Sequence, residues 1–173
     1  MELSGDYIAG LTDGEGCFAL KFRRDIKHRK TSEAVYFYWD VEFAMMLRED
    51  DQDLLEMVKS RLGCGRISKN SYGGVRFAVN AIYDLVSVIV PFFGKYPLHG
   101  KKRHDFKLWS EGVMILKRNQ RTSINAIKGE KGFKRTVWDA SDLKRLIKIH
   151  QEMKPYKSKG KEWKWLSQAQ QTT

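Results

Sequence analysis

The four residues Asp13-Gly14-Glu15-Gly16 put two carboxylates beside two glycines, directly after the apolar run Tyr7-Ile8-Ala9-Gly10-Leu11-Thr12. The run predicts a short helix whose end carries the acids. A helix C-terminus is already partly negative, so acids are disfavoured there unless a cation compensates. Carboxylates among exposed carbonyls form a hard oxygen cluster suited to Mg²⁺. The plain alternative is that Asp13 and Glu15 are ordinary turn residues. Gly10 and Gly14 are four apart and so share one helix face. Each costs roughly 1 kcal/mol against alanine in a helix, which close backbone contact with another helix would justify. Cys17-Phe18-Ala19-Leu20 begins a strand, so Glu15 is held at a helix–strand junction.

Downstream, Phe18, Leu20 and Phe22 alternate with Ala19, Lys21 and Arg23, the pattern of a half-buried strand. Asp25 to Glu33 is polar and predicts a hairpin loop, and Tyr36 to Met46 the return strand. Phe37, Trp39, Val41, Phe43 and Met45 should face the core, with Tyr38, Asp40, Glu42 and Ala44 opposite. Leu54, Leu55, Val58 and Leu62 have helical spacing closed by Gly63. Residues 66–70 and 75–79 flank a turn. Asn80 should cap a helix bearing Ile82, Leu85, Val86, Ile89, Val90 and Phe93, its end bracketed by Pro91 and Pro97. The expected order is αββαββα. That gives an α+β fold with a curved four-stranded antiparallel sheet and helices on one face. A further helix opens at Gly100-Lys101-Lys102-Arg103-His104, and the last expected helix is capped by Asp139 or Ser141. On it, His150 is expected to be a packing residue. The whole is taken as one domain over residues 1–173, with a core at 5–116 and a basic helical extension at 117–173.

Charge narrows the partner. Thirty-two Lys and Arg stand against 21 Asp and Glu, a formal +11. Residues 1–116 are nearly balanced, 17 basic to 16 acidic, whereas residues 117–164 hold 15 against 5. A second basic zone runs from Lys21 to Lys30. Two basic zones on a balanced body point to a polyanion. An anionic membrane is a poorer partner, because no basic helix has a bare aliphatic opposite face. No apolar run is long enough to span a bilayer. The acidic start lacks signal-peptide form, so an intracellular, non-secreted protein is expected, in the compartment holding the host DNA. Cys17 and Cys64 are expected to be buried free thiols. Without a Cys/His cluster, a zinc site is not expected. On the outward sheet face, Lys21, Arg23, Asp25, Lys27, Tyr38, Asp40, Glu42, Arg66, Ser68, Asn70, Arg76 and Ala78 are the expected contacts to double-stranded DNA. Asp40 and Glu42 would either accept from cytosine or be held by basic neighbours.

Residues 8–16, Ile-Ala-Gly-Leu-Thr-Asp-Gly-Glu-Gly, resemble the nine-residue signature of the LAGLIDADG homing endonucleases. The resemblance implies a metal-dependent nuclease making a staggered double-strand break. Glu15 would be catalytic and, with the Gly14 carbonyl, a ligand of Mg²⁺ (Mn²⁺ or Ca²⁺ could occupy the same site). It also implies a basic residue beside the scissile phosphate: Lys101 by spacing, Arg103 second. A single signature implies a homodimer on a near-palindromic site, meeting through Ile8, Ala9, Gly10, Leu11 and Asp13. Many relatives carry a water-ordering glutamine after the second strand, where spacing here puts Leu47. Alternatives are an RNA-splicing maturase or a non-cleaving DNA-binding protein on the same fold, or a generic basic nucleic-acid-binding module.

Overall fold

The computed structural model describes residues 2–28, 33–119 and 138–153; for 24–28 and 33–37 it describes the backbone alone. Helix α1 (Gly5–Glu15) leads into strands β1 (Gly16–His28) and β2 (Glu33–Arg48). A 3-10 turn (Glu49–Asp51) and α2 (Gln52–Leu62) follow, then β3 (Arg66–Lys69) and β4 (Gly74–Val79). Next come α3 (Ile82–Asp84), α4 (Val90–Lys95), α5 (Lys102–Asn119) and α6 (Ala140–Met153). The strands form one antiparallel sheet in the order β1-β2-β4-β3. This is the expected α+β architecture.

The inward sheet residues follow the period-two pattern: Phe18, Leu20, Phe22, Val41, Phe43, Met45, Val75, Phe77 and Val79 are buried. Aromatic rings knit the sheet to the helices, with Phe18 stacked on Phe43 at 5.2 Å and against Phe93 at 5.5 Å and Trp109 at 5.1 Å. The Trp109 indole N–H donates to the Ala19 carbonyl at 3.2 Å. Helix α6 packs on α5, and its His150 meets the Trp39 ring edge-on at 5.4 Å. A packing role was expected for this histidine. Asp139 caps α6 through the N–H groups of Ser141 and Asp142, both at 3.0 Å.

Several local expectations are corrected. The first hairpin pairs as far as His28 opposite Glu33, so the strands invade the stretch expected as loop. Asn80 caps nothing: α3 begins after Ala81 without a side-chain cap. Pro91 does not end its helix. Residues Leu85–Ile89 form a π turn in which the Val90 N–H reaches back to the Leu85 carbonyl, and the helix continues through Pro91 to Lys95. A proline has no N–H and crowds the carbonyl one turn back, and a π turn is one way to absorb the defect. Cys17 is exposed rather than buried, because alternation with Phe18 turns it outward. Cys64 is half-buried; burial, aided by the Asp84 charge, pushes its thiol up to about 11. The elements expected between residues 120 and 137 and in the tail 154–173 lie outside the described residues. Among the described residues, no helix is long and apolar enough to cross a membrane.

Candidate active site and nucleic-acid interface

Helix α1 is anchored on its inner side and open on its outer side. Ser4 caps it by accepting the Tyr7 N–H at 3.1 Å. Ile8 and Ala9 are buried in the chain's own core. Thr12, polar and fully buried, is satisfied by donating its hydroxyl to the Ile8 carbonyl at 2.7 Å. Tyr7, Gly10 and Gly14 are exposed and Leu11 is half-exposed. A Cβ added at Gly10 or Gly14 would meet nothing within 4 Å. The free face is therefore Tyr7, Gly10, Leu11 and Gly14. Ile8 and Ala9, expected at an interface, are withdrawn from it by helical geometry.

At the end of α1 the two acids separate in role. Asp13 Oδ2 accepts the His99 N–H at 2.8 Å and Oδ1 the Gly100 N–H at 3.1 Å, so this carboxylate ties α1 to the turn opening α5. It is a structural clamp between the two helices. Glu15 is exposed, and its carboxylate has no hydrogen bond or ion pair among the described residues. The nearby cation is Lys102, whose Nζ donates to the Asp13 and Gly14 carbonyls, each at 2.8 Å. Lys101 and Arg103 flank it, both exposed. The Lys101 carbonyl accepts the His104 N–H at 3.1 Å. Spacing pointed to Lys101, with Arg103 second; the side chain that meets the end of α1 is instead that of Lys102, which lay outside that choice, because one residue turns a side chain by about 100° on a helix.

A divalent ion would find hard oxygens here, the free Glu15 carboxylate and the carbonyls at the negative end of α1. Among the described residues no three His, Cys, Asp or Glu side chains converge as a closed site. The donor set on the described residues is thus partial, and a divalent ion held there would keep waters among its ligands.

The outward sheet face is more self-contained than alternation alone suggests. Arg23 is paired with Asp40 at 2.7 Å. Glu42, only 8% exposed, takes Arg76 at 2.5 Å and Lys21 at 3.5 Å. The two acids are thus held by basic neighbours. Burial alone raises the Glu42 carboxyl, but the Arg76 hydrogen bond and charge, with Lys21, outweigh it and hold the group below its ordinary 4.5. Tyr38, Arg66 and Ser68 are exposed. Ala78 is 1% exposed and presents no contact surface. Asn70 braces a turn: its Oδ1 accepts the N–H groups of Tyr72 and Gly74, both at 2.9 Å. The side chains of Asp25 and Lys27 lie outside the described residues. Leu47 packs on the core side opposite Val75, so a polar group acting outward at this end of β2 would have to stand at Met46 or Arg48.

A sequence model described as LAGLIDADG endonuclease matches residues 8–113. The chain is 28% identical over 130 residues to the probable intron-encoded endonuclease 2 of Neurospora crassa, covering 73% of this chain and 27% of that one. It is 26% identical over 114 residues to an uncharacterized 50.9 kDa protein in ND4 intron 1 of Podospora anserina, covering 66% and 24%. It thus spans about a quarter of either relative. Among solved structures, the homing endonuclease I-TnaI superposes with a TM-score of 0.70 at 24% identity, covering all of both chains. I-SmaMI bound to cleaved DNA superposes at 0.67 and 22% identity, over 88% of this chain and 44% of that one; I-SmaMI is also solved on uncleaved DNA with calcium ions. With the family model matching well over half the chain and the signature helix ending at an exposed acid, the protein belongs to the LAGLIDADG endonuclease family.

Proposed function

We propose that two copies of this chain form a site-specific homing endonuclease, which cuts both strands of a long, near-palindromic DNA site in a divalent-metal-dependent reaction. The observation that carries this is the exposed Glu15 carboxylate, without a partner among the described residues, beside the Gly14 carbonyl at the end of a helix whose outer face is open at Gly10 and Gly14. Pairing α1 with its symmetry mate would bring two Glu15 groups together. Like charges that close repel unless cations stand between them. Glu15 and the Gly14 carbonyl would hold Mg²⁺, with Mn²⁺ or Ca²⁺ able to use the same oxygens. Bound there, the ion supplies Lewis-acid polarisation of a phosphoryl oxygen and activation of water. Lys102, flanked by Lys101 and Arg103, places positive charge against the charge that develops on the phosphate.

Support for two copies comes from the outer face of α1, where a Cβ added at Gly10 or Gly14 would meet nothing within 4 Å. The outward sheet residues Lys21, Arg23, Tyr38, Arg66, Ser68 and Arg76 would face base edges, and basic residues of the C-terminal extension the phosphates. The staggered cut, the Mg²⁺ preference and a location with the host DNA complete the proposal.

The test is a cleavage assay on a plasmid carrying the gene's own insertion site, with and without Mg²⁺. The wild-type chain should linearise it only with metal, and Glu15→Gln should bind the site but not cut it. Normal cutting by Glu15→Gln would overturn the assignment. Binding without cutting by the wild type would favour a non-cleaving or RNA-splicing role on the same fold.

A further inference from the structure

The end of α1 and the start of α5 hold each other by bonds running both ways. The Asp13 carboxylate takes the His99 and Gly100 N–H groups, and Lys102 returns its ammonium to the Asp13 and Gly14 carbonyls. The approach is close: a Cβ on Gly100 would stand 3.0 Å from Asp13 Oδ1. Helix α1 has no basic residue in its own last turn. Its terminal carbonyls carry the negative end of the helix dipole, and the charge that meets them comes from another element, 88 residues further on.

We propose that Lys102 is a tethered stand-in for the divalent cation, occupying the Gly14 carbonyl until metal takes that oxygen. This rests on the reading of Gly14 and Glu15 as metal ligands. An ammonium and a divalent ion repel strongly when both lie within bonding distance of one oxygen. Metal entry therefore displaces Lys102, and the released ammonium, on a long flexible stem, becomes available to a phosphate. Metal loading and delivery of the lysine are then one event. The free protein is spared a pair of bare helix-end carbonyls while it searches for its site. Reciprocity follows: whatever holds Lys102 away from the carbonyl, such as a bound phosphate, must tighten metal binding by the same factor.

The experiment titrates Mn²⁺ into the chelator-stripped full chain without DNA, reading free ion by electron paramagnetic resonance. Lys102→Met should bind Mn²⁺ about fivefold or more tightly than the wild type, within the ordinary range of site-to-site coupling. Lys107→Met removes the same charge from an exposed position on α5 and should leave the affinity within about twofold. If Lys102→Met does not fold by circular dichroism, Lys102→Gln, an uncharged donor, carries the same expectation. Equal or weaker Mn²⁺ binding by the Lys102 variants overturns the proposal. So does equal tightening by Lys107→Met, which would make the effect one of general charge. Plasmid cleavage by the wild type reads the nuclease assignment separately, so failure of one is distinguishable from failure of the other.

Discussion

At the residue scale, two acids that look alike in the chain do different work. Asp13 satisfies two backbone donors; Glu15 is exposed and has no partner among the described residues. Replacing Asp13 by alanine should lower stability by about 1 kcal/mol, because the His99 and Gly100 N–H groups lose their acceptor but can reach water. Thermal melts of the two proteins check this. Glu42 behaves differently because it is covered. Its carboxyl is lowered in the fold, since Arg76 and Lys21 outweigh the burial that would raise it. A lowered carboxyl contributes stability above its unfolded value and loses it as pH falls through the folded value. Glu42→Gln should therefore cost about 1–3 kcal/mol near neutral pH, and the gap in melting temperature from wild type should close well below pH 4.5. A gap that stays constant with pH would show that the charge contributes nothing.

At the element scale, the glycines of α1 and its exit sort by what surrounds them. Gly10 faces open space, whereas a Cβ on Gly16 would stand 2.5 Å from Thr12 Cγ2 and 2.7 Å from the Thr12 carbonyl oxygen. Gly10→Leu should leave the single chain folded, and more stable by about 0.5–1 kcal/mol through helix propensity. It should nevertheless abolish self-association, measured by sedimentation on and off DNA. A dimer that persists unchanged would remove α1 from the proposed interface. Gly16→Ala should instead destabilise the chain by about 1–3 kcal/mol through overpacking at the helix end. The two substitutions look equivalent in the sequence, and only the packing separates them.

At the scale of the whole molecule, the charge asymmetry predicts how affinity divides. The core is nearly neutral, and its outward arginines and lysines are partly spent on Asp40 and Glu42. Much of the sequence-independent attraction must then come from the basic stretch after residue 116. Replacing Lys159 and Lys161 together by glutamine should weaken binding to specific and random duplexes alike and reduce the slope of log K against log salt by up to about 2. Arg23→Ala should relax preference at one base pair per half-site and leave that slope nearly unchanged. A selection experiment across salt concentrations separates the two.

The order of elements, the core face of each strand and the acid at the helix exit were legible in the chain itself. Periodicity and glycine placement are local properties, and hydrophobic burial obeys them. The family resemblance in residues 8–16 added the chemistry. Three things had to wait for the folded chain: which of three consecutive basic residues reaches the end of α1, which outward charges are already paired, and that Ile8 and Ala9 point inward. Each depends on contacts between segments far apart in sequence. Lys102 meets Gly14 across 88 positions, and Arg76 meets Glu42 across 34. No local pattern encodes such distances, because they follow from how helices and sheet pack together rather than from how each one forms.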